Sequence, residues 1–305
     1  MTNEIYEELC KISEQNKGIK ESEERIRKEF QKTRKIPKLD PLTYVNQKGK
    51  SGKHKERFLK EWYETLQLLR DIGDRVSSDQ YRPKWVKSTT PKGVQADQFL
   101  HAFYYSQVRK GTKSRHWEFF ERNKRNPEVA LVDSMQWWGS LETPPNSEDV
   151  TINKWSKFLH KKLQEDSLIS VSKEQFVEIC SCVHAMRDHS LRVSYKSYGL
   201  SEPLPQMEIK GRVKYLGEWL FDRKTIEGES VVDTLHYVLY GGAKDQIPER
   251  LWEATNSPKW RVPHLGISSI GEIIGWALPT DFPPRNGRTS KALKALGYNV
   301  DIHSE

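Results

Sequence analysis

The sequence predicts a mainly α, multi-helical protein in two parts. Apolar residues recur at intervals of three and four along several long segments, a pattern typical of helices with one buried face. No segment shows sustained alternation of apolar and polar residues, and no internal repeat is detectable. With 305 residues, 35% of them apolar, and ten tryptophans, the chain can build more than one compact core.

The first part, residues 1–143, is expected to be a basic helical domain. Its clearest pattern is an amphipathic helix whose apolar stripe includes Phe58, Trp62, Leu66 and Ile72. Helices are predicted, in order, over residues 4–30, 54–76, 99–108 and 127–138, with a loop over residues 32–53.

Pro144 and Pro145 mark the predicted boundary, because a proline disfavours helix in the residue before it and Ser147 begins a new capping pattern. The second part, residues 144–305, is expected to be a helical domain. Ser172 and Gln175 have the spacing of a capping box. Helices are predicted over residues 147–163, 172–198, 207–221, 229–240 and 248–256.

The net charge of +8 is concentrated in two blocks. Residues 31–60 contain ten basic and two acidic residues, and residues 81–125 contain eleven basic and three acidic residues. Such blocks suit a polyanion, since neutralised phosphates release counterions, although they could equally be a solvated surface. Lys48, Lys50 and Lys53 of the first block are candidate DNA-binding residues; the glycines between them do not follow the order of an ATP-binding loop.

Composition also sets the expected compartment. No apolar run approaches the length of a membrane span and the acidic first residues lack a signal core, so we expect a cytoplasmic protein without membrane contact. The three cysteines, Cys10, Cys180 and Cys182, are too few for a disulfide framework. No cofactor is expected.

The strongest functional pattern lies at residues 259–300, which read as a helix, a Gly/Ser hairpin, a second helix, a Pro-rich corner and a third helix. Backbone N–H groups that open a helix bind anions. The residues predicted to contact DNA here are Gly266, Ser268, Ser269, Arg285, Asn286, Arg288, Thr289, Ser290 and Lys291. In a second interpretation, Thr289 or Ser290 caps the third helix while Arg285 and Arg288 pair with nearby carboxylates.

The run Leu265-Gly-Ile-Ser with Gly271 and Gly275, followed by Phe282-Pro-Pro-Arg-Asn, resembles the helix-hairpin-helix segment of the DNA glycosylase superfamily. It also resembles related segments found beside restriction and phage-defence ATPases in bacteria. This resemblance covers about forty residues and implies binding of DNA, duplex in form, through its backbone phosphates. It further implies a separate ATPase or nuclease subunit as partner.

The resemblance does not extend to base excision. Gly266 matches the first hairpin glycine, but Ser268 stands where the second is expected. The aspartate that stabilises the cationic sugar in glycosylases would lie within residues 282–290, which contain no acidic residue. Asn286 is the nearest match, and an amide lacks the negative charge that this transition state needs. An enzyme is therefore not favoured.

Two other patterns predict alternative sites. Glu208 and Lys210 match the end of a restriction-nuclease Mg²⁺ site, which needs strands and an acidic partner upstream, so a nuclease is the enzyme alternative. Cys180, His184 and Asp188 would share one helical face and could hold zinc, although such residues are common in cores.

A helical adaptor whose basic blocks contact an acidic protein is a third alternative. The sequence favours a non-catalytic DNA-binding subunit of a bacterial phage-defence or DNA-processing system over the nuclease and the adaptor.

Overall fold

The computed structural model describes residues 48–146, 148–198, 200 and 208–303. Helices make up most of this part of the chain, which confirms the predicted mainly α class. The first helices are α1 (Lys48–Val76), α2 (Lys92–Phe103), α3 (His116–Asn123) and α4 (Pro127–Gly139). The middle helices are α5 (Glu148–Val150), α6 (Ser156–Lys162), α7 (Glu165–Ile169), α8 (Lys173–Cys182) and α9 (His184–Ser190). The last are α10 (Ile209–Phe221), α11 (Val231–Tyr240), α12 (Ile247–Asn256), α13 (Ile267–Ala277) and α14 (Gly287–Ala295).

A short hairpin separates α2 from α3. The backbone leaves α2 through a π-helical turn, Tyr104–Val108, and then forms the antiparallel strands β1 (Arg109–Lys110) and β2 (Lys113–Ser114). Gly111 in the connecting turn has a φ of 59°, a left-handed conformation that favours glycine. The hairpin was not predicted, because two-residue strands are too short to show alternation.

Helix α1 contains the predicted amphipathic pattern. Phe58, Trp62, Leu66 and Ile72 are buried along one face, as expected from their spacing. The helix begins at Lys48, inside the segment predicted to be a loop. The predicted helix over residues 4–30 lies outside the described residues.

Helix α13 lies at the centre of the helical packing. Every residue from Ser268 to Ala277 is buried, and the helix packs against α2, α6, α9, α11 and α12. Its apolar and small residues surround the whole circumference, which is typical of a helix buried on all sides. The predicted helix-hairpin-helix unit is not confirmed, because Ser268 and Ser269 lie within this central helix instead of in a surface hairpin.

The Pro-rich corner after α13 packs closely against glycines. A Cβ on Gly275 would lie 2.2 Å from the backbone of Pro284, and one on Gly93 would lie 2.4 Å from the carbonyl oxygen of Pro279. Gly271 faces the carbonyl of Arg285 in the same way. Gly271 and Gly275, which belong to the segment that resembles a helix-hairpin-helix, therefore let the corner approach α13, and Gly93 lets it approach α2.

The helix predicted over residues 172–198 is interrupted. The capping box of Ser172 and Gln175 is present and α8 begins there, as predicted, but the helix ends at Cys182. Val183 has an extended backbone, with φ −90° and ψ 116°, and α9 begins at His184. Cys180 and His184 therefore do not share one helical face.

The described residues from Lys55 onward form one compact unit. Within that unit, α2 packs against α13 and α14, which lie beyond the predicted boundary at residue 144. The division into parts 1–143 and 144–305 stays a prediction. Within the described ranges, no helix combines the length and the apolar character that crossing a membrane requires.

Candidate functional site

Arg285, the first cation of the Pro-rich corner, points into the protein. Arg285 is 3% exposed, and its guanidinium donates to the carboxylate of Glu61 and lies over the ring of Trp62. Burial by itself raises the pKa of Glu61, but His303, 3.7 Å away, and the Arg285 guanidinium outweigh burial and lower it to about 2. Arg285 therefore stabilises the fold and has no exposed surface to offer a phosphate.

Asn286 is the N-cap of α14, a role the second interpretation had given to Thr289 or Ser290. Its side-chain oxygen accepts hydrogen bonds from the N–H groups of Arg288 and Thr289. Its amide nitrogen donates to Glu272 at 2.9 Å. Like Ser269, both Thr289 and Ser290 are buried. The structure places these predicted DNA-binding residues inside the molecule.

Glu272 joins three segments behind this corner. Its carboxylate accepts hydrogen bonds from the backbone N–H groups of His184 and Ala185, at 2.8 Å each, and from the side chains of His184, Trp276 and Asn286. Burial raises the pKa of Glu272, but these donors outweigh burial and lower the pKa to about 2. The carboxylate thus caps the start of α9, which explains why the helix restarts at His184.

Arg288 bridges the buried network and a cavity. Its guanidinium donates two hydrogen bonds to the carboxylate of Asp188, at 2.6 and 2.8 Å, and a third to Nε2 of His101 at 2.9 Å. His101 therefore donates from Nδ1 to Glu148, 2.9 Å away. Burial lowers the pKa of His101 to about 4, so the imidazole is neutral near pH 7.

The cavity lies between the π-helical turn, the hairpin, α9 and the start of α14, and has a volume of about 630 Å³. We call it the basic cavity. The described residues that line it include four cations and one carboxylate, Asp188. The four cations are Arg109, Arg192, Arg288 and Lys291.

Three of these cations have no carboxylate partner among the described residues. Arg109 lies over the ring of Tyr105, Arg192 donates to the backbone carbonyl of Asp188, and Lys291 makes no ion pair. The N–H of Gly287, in the first turn of α14, also has no hydrogen-bond partner within the described chain. Unpaired cations beside the N-terminus of a helix form a favourable environment for an anion.

Backbone geometry also marks this cavity. Tyr104 and Tyr105, which begin the π-helical turn, both line it. The turn places the ring of Tyr105 against Arg288 as well as Arg109, each about 5.1 Å from its centroid, and so orients both guanidinium groups.

Of the predicted C-terminal contacts, Lys291 and Arg288 line the cavity, and so do Asn286 and the largely buried Ser268. Gly266 precedes α13 and does not line it. The side chains of Lys48, Lys50 and Lys53 lie outside what the structure describes.

Arg109 and Arg192 are site residues that the sequence did not single out. Arg109 belongs to the basic block over residues 81–125, whereas Arg192 lies outside both basic blocks.

The described residues do not form the nuclease site or the zinc site that the sequence suggested as alternatives. Glu208 is the N-cap of α10 and Lys210 lies in its first turn, whereas the nuclease pattern requires strands. The described residues contain no group of three or more His, Cys, Asp and Glu side chains that could hold a metal ion.

The chain matches no protein-family model, no curated protein and no solved structure.

Proposed function

We propose that this protein binds nucleic acid through backbone phosphates, and that the basic cavity holds one of them. The observation that supports the proposal is the convergence of Arg109, Arg192 and Lys291, none of which is neutralised by a described carboxylate. Each comes from a different segment of the chain. Cations brought together in this way repel one another, so a site of this kind is stabilised by a bound anion.

A polymeric anion fits the surroundings of the cavity better than a small one. Lys110, exposed on the hairpin next to Arg109, extends the positive surface, whereas the ammonium group of Lys113 lies 3.8 Å from the carboxylate of Glu118. Phosphates spaced along a chain would contact both regions, and release of their counterions would contribute to the affinity. The proposal includes the setting that the resemblance implies, a non-catalytic subunit acting with an ATPase or nuclease on another chain.

The test compares cavity lysine with surface lysine. Lys291→Met and Lys161→Met each remove one positive charge, but Lys161 lies exposed in the last turn of α6 and does not line the cavity. We expect Lys291→Met to weaken binding of a labelled oligonucleotide about threefold to tenfold and to lower the salt slope by about 1, with Lys161→Met unchanged. Fluorescence anisotropy at several salt concentrations measures both quantities.

Equal binding by Lys291→Met and the unmodified chain would contradict the proposal, and so would equal weakening by both variants. Binding of an acidic protein in place of every oligonucleotide would favour the adaptor alternative.

A further inference from the structure

An exposed tryptophan lies beside the basic cavity. Trp117, in the first turn of α3, has 56% of its surface exposed, although tryptophan is usually largely buried. The preceding residue, His116, is fixed to the cavity wall, because its Nδ1 lies 2.8 Å from the hydroxyl of the cavity-lining Ser114. The ring of Trp117 itself packs edge-to-face against the ring of Phe120, with the two centroids 5.8 Å apart.

Helix α14 connects Trp117 with the cavity. The ammonium group of Lys294 lies 4.8 Å from the centre of the Trp117 ring, and Lys294 is itself buried and bonded to Asn299 at 2.9 Å. Lys291, which lines the cavity, is three residues earlier and lies on the same side of the helix. The two lysines are thus about one helical turn apart, roughly 4.5 Å along the axis of α14.

An exposed aromatic ring next to a cationic cavity suits unpaired nucleic acid better than a double helix. In a double helix the faces of the bases are stacked inside, and a protein contacts phosphates and groove edges. Such a helix offers no base face to Trp117. An unpaired strand exposes base faces, and every base can stack on an aromatic side chain whatever its sequence. A volume of about 630 Å³ is also within the range of sites for small ligands, the size class of a single nucleotide.

We propose that the basic cavity and Trp117 form one site for unpaired nucleic acid, with a phosphate in the cavity and the base of a neighbouring nucleotide stacked on Trp117. The inference rests on the proposed function and departs from the duplex expected from the sequence. Cationic grooves combined with stacking aromatics are the usual means of binding single strands. Deoxyribose and ribose strands share this chemistry.

The experiment uses the full chain and four labelled probes: a single-stranded DNA, the same sequence as RNA, the matching DNA duplex, and an abasic DNA strand that keeps its phosphates. We expect single strands to bind at least about tenfold more tightly than duplex. Trp117→Ala should weaken binding of base-containing single strands about tenfold or more, and Trp117→Phe should retain most of the affinity because it keeps a stacking surface. Neither change should affect the abasic strand, and the two sugar types show which nucleic acid is preferred.

The outcomes separate this inference from the proposed function. If Trp117→Ala binds single strands like the unmodified chain while Lys291→Met weakens them, the stacking site is refuted and the phosphate site stands. Equal or tighter binding of duplex also refutes the single-strand inference. If neither variant changes the affinity, both proposals fail. Thermal melting of Trp117→Ala, whose side chain is exposed, checks that the variant is folded.

Discussion

Arg285 and Lys291 belong to the same short basic run, yet they lie in opposite environments. Arg285 is buried against the Glu61 carboxylate and the Trp62 ring, whereas Lys291 lines an open cavity with no ion-pair partner among the described residues. The first cation neutralises a charge within the core, and the second remains available to a ligand. Formal charge along a sequence therefore indicates how many cations exist, while the positions of distant carboxylates decide which of them can bind.

The largest expected effect is a loss of stability when Arg285, the buried member of this pair, is replaced. Arg285→Met leaves the partly buried Glu61 without the Arg285 guanidinium and should lower the free energy of unfolding by about 3 kcal/mol. Lys291→Met, which has no such partner, should change it by less than about 0.5 kcal/mol. Urea denaturation of both variants measures the difference.

A second substitution refines this measurement. Adding Glu61→Gln to Arg285→Met removes the negative charge that has lost its guanidinium partner and should recover part of the lost stability. If Arg285→Met proved as stable as Lys291→Met, the assignment of Arg285 to the core would be wrong.

The next largest effect is a loss of stability on acidification, caused by the neutral imidazole of His101. The pKa of His101 is about 4 in the fold, below its ordinary value of 6.5, so the unfolded chain takes up a proton in this interval and the folded chain does not. Stability from this group is complete above pH 6.5 and is lost as the pH falls towards 4, by about 3 kcal/mol.

His101→Asn keeps a donor for Glu148 but does not titrate, so its stability should depend less steeply on pH. Urea unfolding at pH values between 7 and 4 gives the two curves. Parallel curves for the variant and the unmodified chain would show that His101 does not hold a depressed pKa.

The smallest expected effects concern the glycines around the corner. Gly275→Ala places a methyl group against the backbone of Pro284 and should destabilise the fold by about 1–3 kcal/mol. Gly287→Ala is the matched control, because the nearest atom to its Cβ is the carbonyl oxygen of His303 at 3.7 Å, an ordinary contact distance. Its stability should change by less than about 0.5 kcal/mol. Thermal melting of the two variants compares them; an unchanged melting temperature for Gly275→Ala would mean that the corner can move away from α13.

Local patterns were sufficient to predict much of the fold. The stripe of α1 and the capping box at Ser172 depend on residues close in sequence, and both were predictable. The break at Val183 was not, because the carboxylate that caps His184 belongs to Glu272, 88 positions later. Whether Arg285 faces a ligand or a carboxylate likewise depends on Glu61, 224 positions earlier.

The candidate site was only partly predictable for a related reason. Its cations come from the hairpin, from the end of α9 and from α14, and the sequence does not show that these segments meet. Arg192 lies outside both basic blocks, and the π-helical turn at Tyr104 leaves no recognisable spacing. A site whose residues come from separate segments can be recognised only once the fold is known.

The long separation between Glu61 and Arg285 has a consequence for biosynthesis. While the chain is being translated, α1 emerges from the ribosome long before the corner that neutralises its carboxylate. Contacts between residues so far apart form late and slowly. The nascent protein should therefore stay open along this face of α1 until residue 285 has been synthesised, a period in which a chaperone could bind there.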